Sequence, residues 1–143
     1  MSNVIARMLA NCRLERVAVN RDYALTVIEM AKQHVRTAEV LADSDDQAMA
    51  FTAVYDAARK ALVAVLATKG LRVRPVGEAH RNTGVAAAEF IEDAALEEFE
   101  WMRQVRNATE YPCDDQPTAT LQDVREAISA ASAIVTACEV NLG

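Results

Sequence analysis

Apolar positions recur at helical spacing along most of this chain. Val4, Ile5, Met8, Leu9 and Cys12 share one face and predict an amphipathic helix over residues 3–16, packed on the body, with a hinge at 17–20. Asn20 is placed to cap a second helix reaching about Ala42, and Asp22 in its first turn complements the helix dipole. Ala24, Val27, Ile28, Ala31, Val35, Ala38 and Leu41 form its inner face, with His34 at the boundary. Ser44-Asp45-Asp46-Gln47 reads as a capping box that opens a third helix, and Gly70 is placed to close it. Its stripe of Phe51, Val54, Tyr55, Ala58, Leu62, Val65 and Leu66 predicts the centre of the core. Tyr55, Asp56, Arg59 and Lys60 are its polar interruptions.

From Leu71 to Thr83 the pattern breaks, because Pro75 and Gly77 forbid a continuous helix. Lys69, Arg72, Arg74 and Arg81 against Glu78, with His80 beside them, make this the one basic island of the chain. It reads either as a solvated loop or as a segment that folds over the arginine-bearing helix to share an anion site. A short helix over about 84–92 then leads into a long acidic one from about Asp93, the two being readable as one kinked helix. That helix ends on Arg103, Arg106, Asn107, Glu110 and Tyr111, and Pro112 stops it. After a polar connector at 113–117, Thr118 or Thr120 caps the last helix. There Leu121, Val124, Ile128, Ala131, Val135, Cys138 and Leu142 alternate three- and four-residue spacings, a seam for near-parallel packing.

Composition sharpens the fold class to all-α, a single helical bundle of about five to six helices. Apolar residues make up 52% of the 143 residues, aromatics only 5%, and there are four glycines. Residues 1–143 are expected to form one domain with a core large enough to need no disulfide or metal. The formal charge of -6 disfavours broad non-specific nucleic-acid binding but leaves room for a local basic patch. Cys12, Cys113 and Cys138 stand in no metal-like spacing and read as reduced thiols in a cytoplasmic protein. The apolar run 61–67 is too short to span a bilayer, and no export signal is expected.

Several familiar site classes are excluded: there is no glycine-rich phosphate loop, no Cys-x-x-Cys, no His-Glu-x-x-His and no serine flanked by glycines. No metal site and no cofactor are expected. What remains is the arginine-bearing helix. Arg103, Arg106 and Glu110 fall on one stripe with Phe99, Leu96 and Ala95, so two cations arrive where the pattern asks for leucine. One reading pairs Arg106 with Glu110 one turn on and makes Tyr111 a helix stop. The other places two guanidinium forks in a cleft for phosphate, with Asn107 to hydrogen-bond a sugar, base or backbone group. In that case Tyr111 orients a phosphate or donates a proton, while Tyr55, Arg59 and His80 are the remaining candidates for the same site.

Two stretches carry a resemblance: Phe51-x3-Tyr55-x2-Ala58-Arg59-x-Ala61-Leu62 with Gly70 after it, and Arg106-Asn107-x2-Glu110-Tyr111. Together with helix order and spacing from about Ala24 to Leu142, they resemble the HEPN superfamily, small all-helical nucleotide-binding and ribonuclease domains. The resemblance implies an up-and-down core, a nucleotide or RNA ligand, and a homodimer along the arginine-bearing helix. It further implies a toxin–antitoxin or defence role and a nucleotidyltransferase-type protein partner. In the ribonuclease members an arginine, often followed by a polar residue, precedes a histidine after four to six residues. Arg106 and Asn107 match the start, whereas Tyr111 stands where the histidine is counted. One alternative is a metal-independent endoribonuclease in which Arg106 acts with Tyr111, or with His80 from the basic segment. Another is a non-enzymatic partner-binding bundle whose arginines and Glu110 specify subunit register.

Overall fold

The computed structural model describes residues 2–111 and 119–142. It contains α1 (Asn3–Ala10), β1 (Leu14–Arg16), α2 (Arg21–Ala42), α3 (Gln47–Thr68), β2 (Leu71–Val73), α4 (Ala79–Ala87), α5 (Phe99–Glu110) and α6 (Leu121–Val140). A 3-10 turn over Ala94–Glu98 leads directly into α5. The architecture is an all-α bundle with one two-stranded ribbon.

α3 is the centre. Ala50, Ala57, Ala58, Ala61 and Ala64 are fully buried along it, together with Phe51, Val54, Leu62 and Val65. Small residues let helix axes approach closely, and α2 answers with Ala24, Ala31 and Ala38, also fully buried. α6 covers the next side of α3 with Val124, Ala127, Ala131 and Ile134. The caps follow local chemistry. Asn20 Oδ1 accepts from Tyr23 N–H at 2.9 Å at the start of α2. Thr120 and Asp123 form a reciprocal capping box on α6. The expected cap at Ser44 falls two residues later: Asp46 Oδ1 accepts from Met49 N–H, while Ser44 hydroxyl donates to Leu41 O at the end of α2.

The first helix departs from expectation. It stops at Ala10, Cys12 takes a left-handed φ of 60°, and Arg13 N–H returns to Met8 O. The chain is thereby turned so that Leu14 is buried and Leu14–Arg16 pairs antiparallel with Leu71–Val73. A continued helix would turn Leu14 away from the face of Ile5 and Met8, and the ribbon buries it instead; a strand of three residues carries no periodic signal of its own. Gly70 makes the reverse connection possible. Its φ is +69°, and a Cβ there would sit 2.9 Å from Val17 O.

The segment after β2 also differs. The short helix begins at Ala79 rather than 84 and ends at Ala87, and non-helical residues separate it from the 3-10 turn. The two expected helices are therefore distinct. Gly84 permits the contact between them: a Cβ would lie 2.7 Å from the Phe99 ring. In α6, Val124, Ala131, Val135 and Cys138 are buried and Ile128 partly so, Leu121 lies at the exposed end, and Leu142 is buried just beyond the helix. Cys12 is exposed and Cys138 buried, both free; Pro112, Cys113 and Thr118 lie outside the described residues.

Candidate functional site

The inward row of α5 is Phe99, Met102 and Thr109, with Val105 half-buried between them. Arg103 and Arg106 therefore do not occupy the core stripe; they flank it, half-buried, on the side that meets α3 and α4. Thr109 anchors the end of the helix, its hydroxyl donating to Val105 O and accepting from Ala119 N–H. The expected Arg106–Glu110 pair does not form. Glu110 instead accepts from the Thr52 hydroxyl at 3.3 Å.

Tyr55 organises the site. It projects from α3, is 1% exposed, and stacks on Phe99 with ring centroids 5.3 Å apart and planes 16° from parallel. His80, from the first turn of α4, lies over it at 5.7 Å. The Arg106 guanidinium stands 5.8 Å from the same ring. Tyr55 and Arg106 thus meet through a cation–ring contact, and the buried hydroxyl has no partner among the described residues. Burial pushes the Tyr55 pKa up to about 12, against the pull of Arg59, Arg106 and Arg103.

The three arginines differ in how they are compensated. Arg103 grips Glu100 with two hydrogen bonds, of 3.0 and 2.7 Å, which holds that carboxyl below the usual range. Arg59 meets Asp56 at 3.3 Å, and Lys60 shares the same carboxylate at 3.4 Å. Burial alone would raise Asp56, but Arg59 and Lys60 outweigh it and keep its pKa low. The Arg59 Nε is nevertheless buried without a partner. Arg106 has no carboxylate within 4.0 Å among the described residues; its Nη1 donates only to Asn107 Oδ1, at 3.4 Å. Burial first, and then the charges of Arg59 and Arg106, hold the His80 pKa below the ordinary imidazole value, which favours the neutral ring.

Tyr55, Arg59, His80, Arg103, Arg106 and Asn107 thus converge where α3, α4 and α5 meet. Tyr111 does not join them: it is 75% exposed beyond the end of α5, with its backbone N–H on Asn107 O. Of the basic island, only His80 packs on Tyr55. Arg72 pairs with Glu15, Arg81 with Glu78, and Lys69 stands 5.7 Å over the Phe90 ring.

A family model for the HEPN domain matches residues 24–141. The chain belongs to the HEPN family. The match begins one turn into α2 and ends at the cap of α6, so it contains every residue of the Tyr55 cluster. No curated protein and no solved structure matches the chain. HEPN membership fits a nucleotide- or RNA-related helical protein. Among the described residues of this HEPN chain, no helix is long and apolar enough to cross a membrane, and no group of three or more His, Cys, Asp or Glu side chains is disposed to hold a metal ion.

Sequence reasoning missed a cleft of about 680 Å³ that opens beside the cluster and shares Arg59 and His80 with it. Its walls come from the linker before α2, from α3, from β2 and from α4. The linker reaches β2 through the ribbon, and the ribbon carried no periodic signal.

Proposed function

We propose that the Tyr55 cluster binds phosphate groups of a nucleotide or of RNA, in a cytoplasmic homodimer assembled along α5. The observation that carries this reading is Arg106, a half-buried guanidinium with no carboxylate partner among the described residues, beside a buried tyrosine hydroxyl that also lacks one. A phosphate supplies what both groups need: charge for the guanidinium and acceptor oxygens for the hydroxyl. HEPN membership supports the ligand class, and HEPN domains often dimerise. Exposed Tyr111 at the end of α5 offers ring surface to a second copy. The same membership supports a toxin–antitoxin or defence role beside a nucleotidyltransferase-type partner. Co-purification with such a partner tests that part.

Arg106→Ala is expected to weaken binding of a short RNA by tenfold or more in a fluorescence-anisotropy titration, the order expected for losing a charged hydrogen bond of roughly 1.5–3 kcal/mol. Unaltered affinity in a folded variant refutes the assignment. Tyr111→Glu is expected to shift the mass measured by light scattering from dimer to monomer.

A second reading, a metal-independent endoribonuclease, is favoured by His80. It lies on the Tyr55 ring and feels the Arg106 charge, so an imidazole and an arginine face one site without Tyr111. Incubating the protein with RNA in EDTA tests it. Cleavage lost in His80→Gln and retained in Tyr111→Phe is the expected pattern, and no cleavage at any pH eliminates the reading.

A further inference from the structure

The cleft beside the Tyr55 cluster has aliphatic walls. Val63 and Leu66 of α3 face Leu71 and Val73 of β2 and Pro75 beyond it. At about 680 Å³ it falls inside the usual range for small-molecule sites, about 300–1,000 Å³. Several polar groups along these walls are already engaged. Asn20 Oδ1 caps α2, the Thr83 hydroxyl donates to Ala79 O at 3.0 Å, and Arg72 is paired with Glu15. Tyr23 contributes a half-exposed phenol on the α2 side, and Arg59, with its buried and partnerless Nε, borders the cleft together with His80.

This distribution selects the ligand. A nucleobase needs donors and acceptors along its edge, and the walls have few to give. An apolar body loses nothing on entering and gains by leaving water. Val17, Ala18, Asn20 and Tyr23, which form one side of the cleft, all precede residue 24, where the HEPN match begins. The site is therefore built partly by chain outside the matched region.

We infer that the cleft holds the apolar body of a small amphiphilic anion whose carboxylate or phosphate head rests on Arg59 and His80. For its head group the inference rests on the anion reading of the Tyr55 cluster. The body sits between α3 and the ribbon, and the head lies at the border with the cluster.

The test compares matched probes on the full chain, followed by methyl NMR shifts of Val63, Leu66 and Val73. Decanoate, kept below its micellar concentration, is set against acetate, and octyl phosphate against inorganic phosphate. Each long-chain member is expected to bind at least tenfold tighter than its short partner. The stronger of the two pairs identifies the head group. Val63→Trp, which fills the cleft from a half-exposed position, is expected to abolish that advantage and leave inorganic phosphate binding unchanged. Ala18→Trp at the exposed rim does the same without touching the core. Equal affinities within each pair, or an advantage that survives both variants, overturn the inference. So does adenosine monophosphate binding through the cleft more tightly than octyl phosphate. RNA binding that depends on Arg106 with no chain-length effect leaves the proposed function standing and removes this inference. Amphiphile binding without RNA binding does the reverse.

Discussion

α3 has two unlike sides. Toward α2 and α6 it presents mostly alanine and branched aliphatics, fully buried, with an unmet buried acceptor only at its first residue, Gln47 Oε1, among the described residues. Toward α4 and α5 it presents Tyr55 and Arg59, with a buried hydroxyl and a buried guanidinium nitrogen left without partners. Both sides belong to one helix of good helix formers, so propensity does not separate them. The difference is that the middle of the first side is filled by apolar contacts, whereas the middle of the second holds a hydroxyl and a guanidinium nitrogen whose bonds are unmet. Unmet buried polar groups cost about 1–3 kcal/mol each, so a protein retains them where something else completes them.

The largest effect is expected on the apolar side of α3. Leu62→Ala, at a fully buried position between the helices, is expected to cost about 2–5 kcal/mol in urea unfolding while leaving the affinity of the folded fraction for RNA intact. Gly84→Ala comes next. Its new methyl meets the Phe99 ring, so about 1–3 kcal/mol of destabilisation is expected, together with weakened RNA binding because Phe99 supports Tyr55. Tyr55→Phe should run the other way. Removing an unpartnered hydroxyl is expected to leave stability unchanged or raise it by roughly 1 kcal/mol, while reducing RNA affinity. A destabilised Tyr55→Phe variant would mean that the hydroxyl already has a partner.

A smaller effect is expected from His80 through pH. Burial and the neighbouring guanidiniums hold its folded pKa below 6.5, so the unfolded chain takes up a proton that the folded chain resists. Stability is therefore full above the ordinary histidine pKa and declines as pH falls below it. His80→Gln is expected to flatten part of that decline in urea midpoints measured against pH; His34, depressed by burial and Lys60, leaves a remainder of the same sign. RNA binding should tighten over the same interval, because bound phosphate favours the imidazolium, and His80→Gln should remove that trend. The smallest effect belongs to Arg72→Ala. Its pair with Glu15 is 66% exposed on the arginine side, and such pairs contribute about 0.2–1 kcal/mol.

The helices that bury a continuous stripe were legible in the sequence. Asn20, Gly70 and Thr120 mark ends that local hydrogen bonding fixes, and the α3 stripe from Phe51 to Leu66 is buried throughout. Elements whose identity depends on distant partners were not legible. Leu14 is as apolar in a helix as in a strand, and only its pairing with Val73 decides between them. The arginines illustrate the same limit within α5. A few tens of degrees of helix rotation separate the core row of Phe99 and Met102 from the flank of Arg103 and Arg106. The pattern of α5 alone does not fix that angle; its neighbours enter too, among them Gly84 of α4, against which the Phe99 ring packs.

The β1–β2 ribbon also sets an order of assembly. Pairing Leu14 with Val73 closes a loop of roughly sixty residues, which is entropically unfavourable until the α2–α3 hairpin inside it has shortened the path. The N-terminal strand is thus expected to dock late, after the bundle has formed. Substitutions at Leu14 should then accelerate unfolding while barely slowing refolding. Brief opening of this latch would expose the linker wall of the aliphatic cleft without unfolding the helices, giving a bound molecule a way in and out.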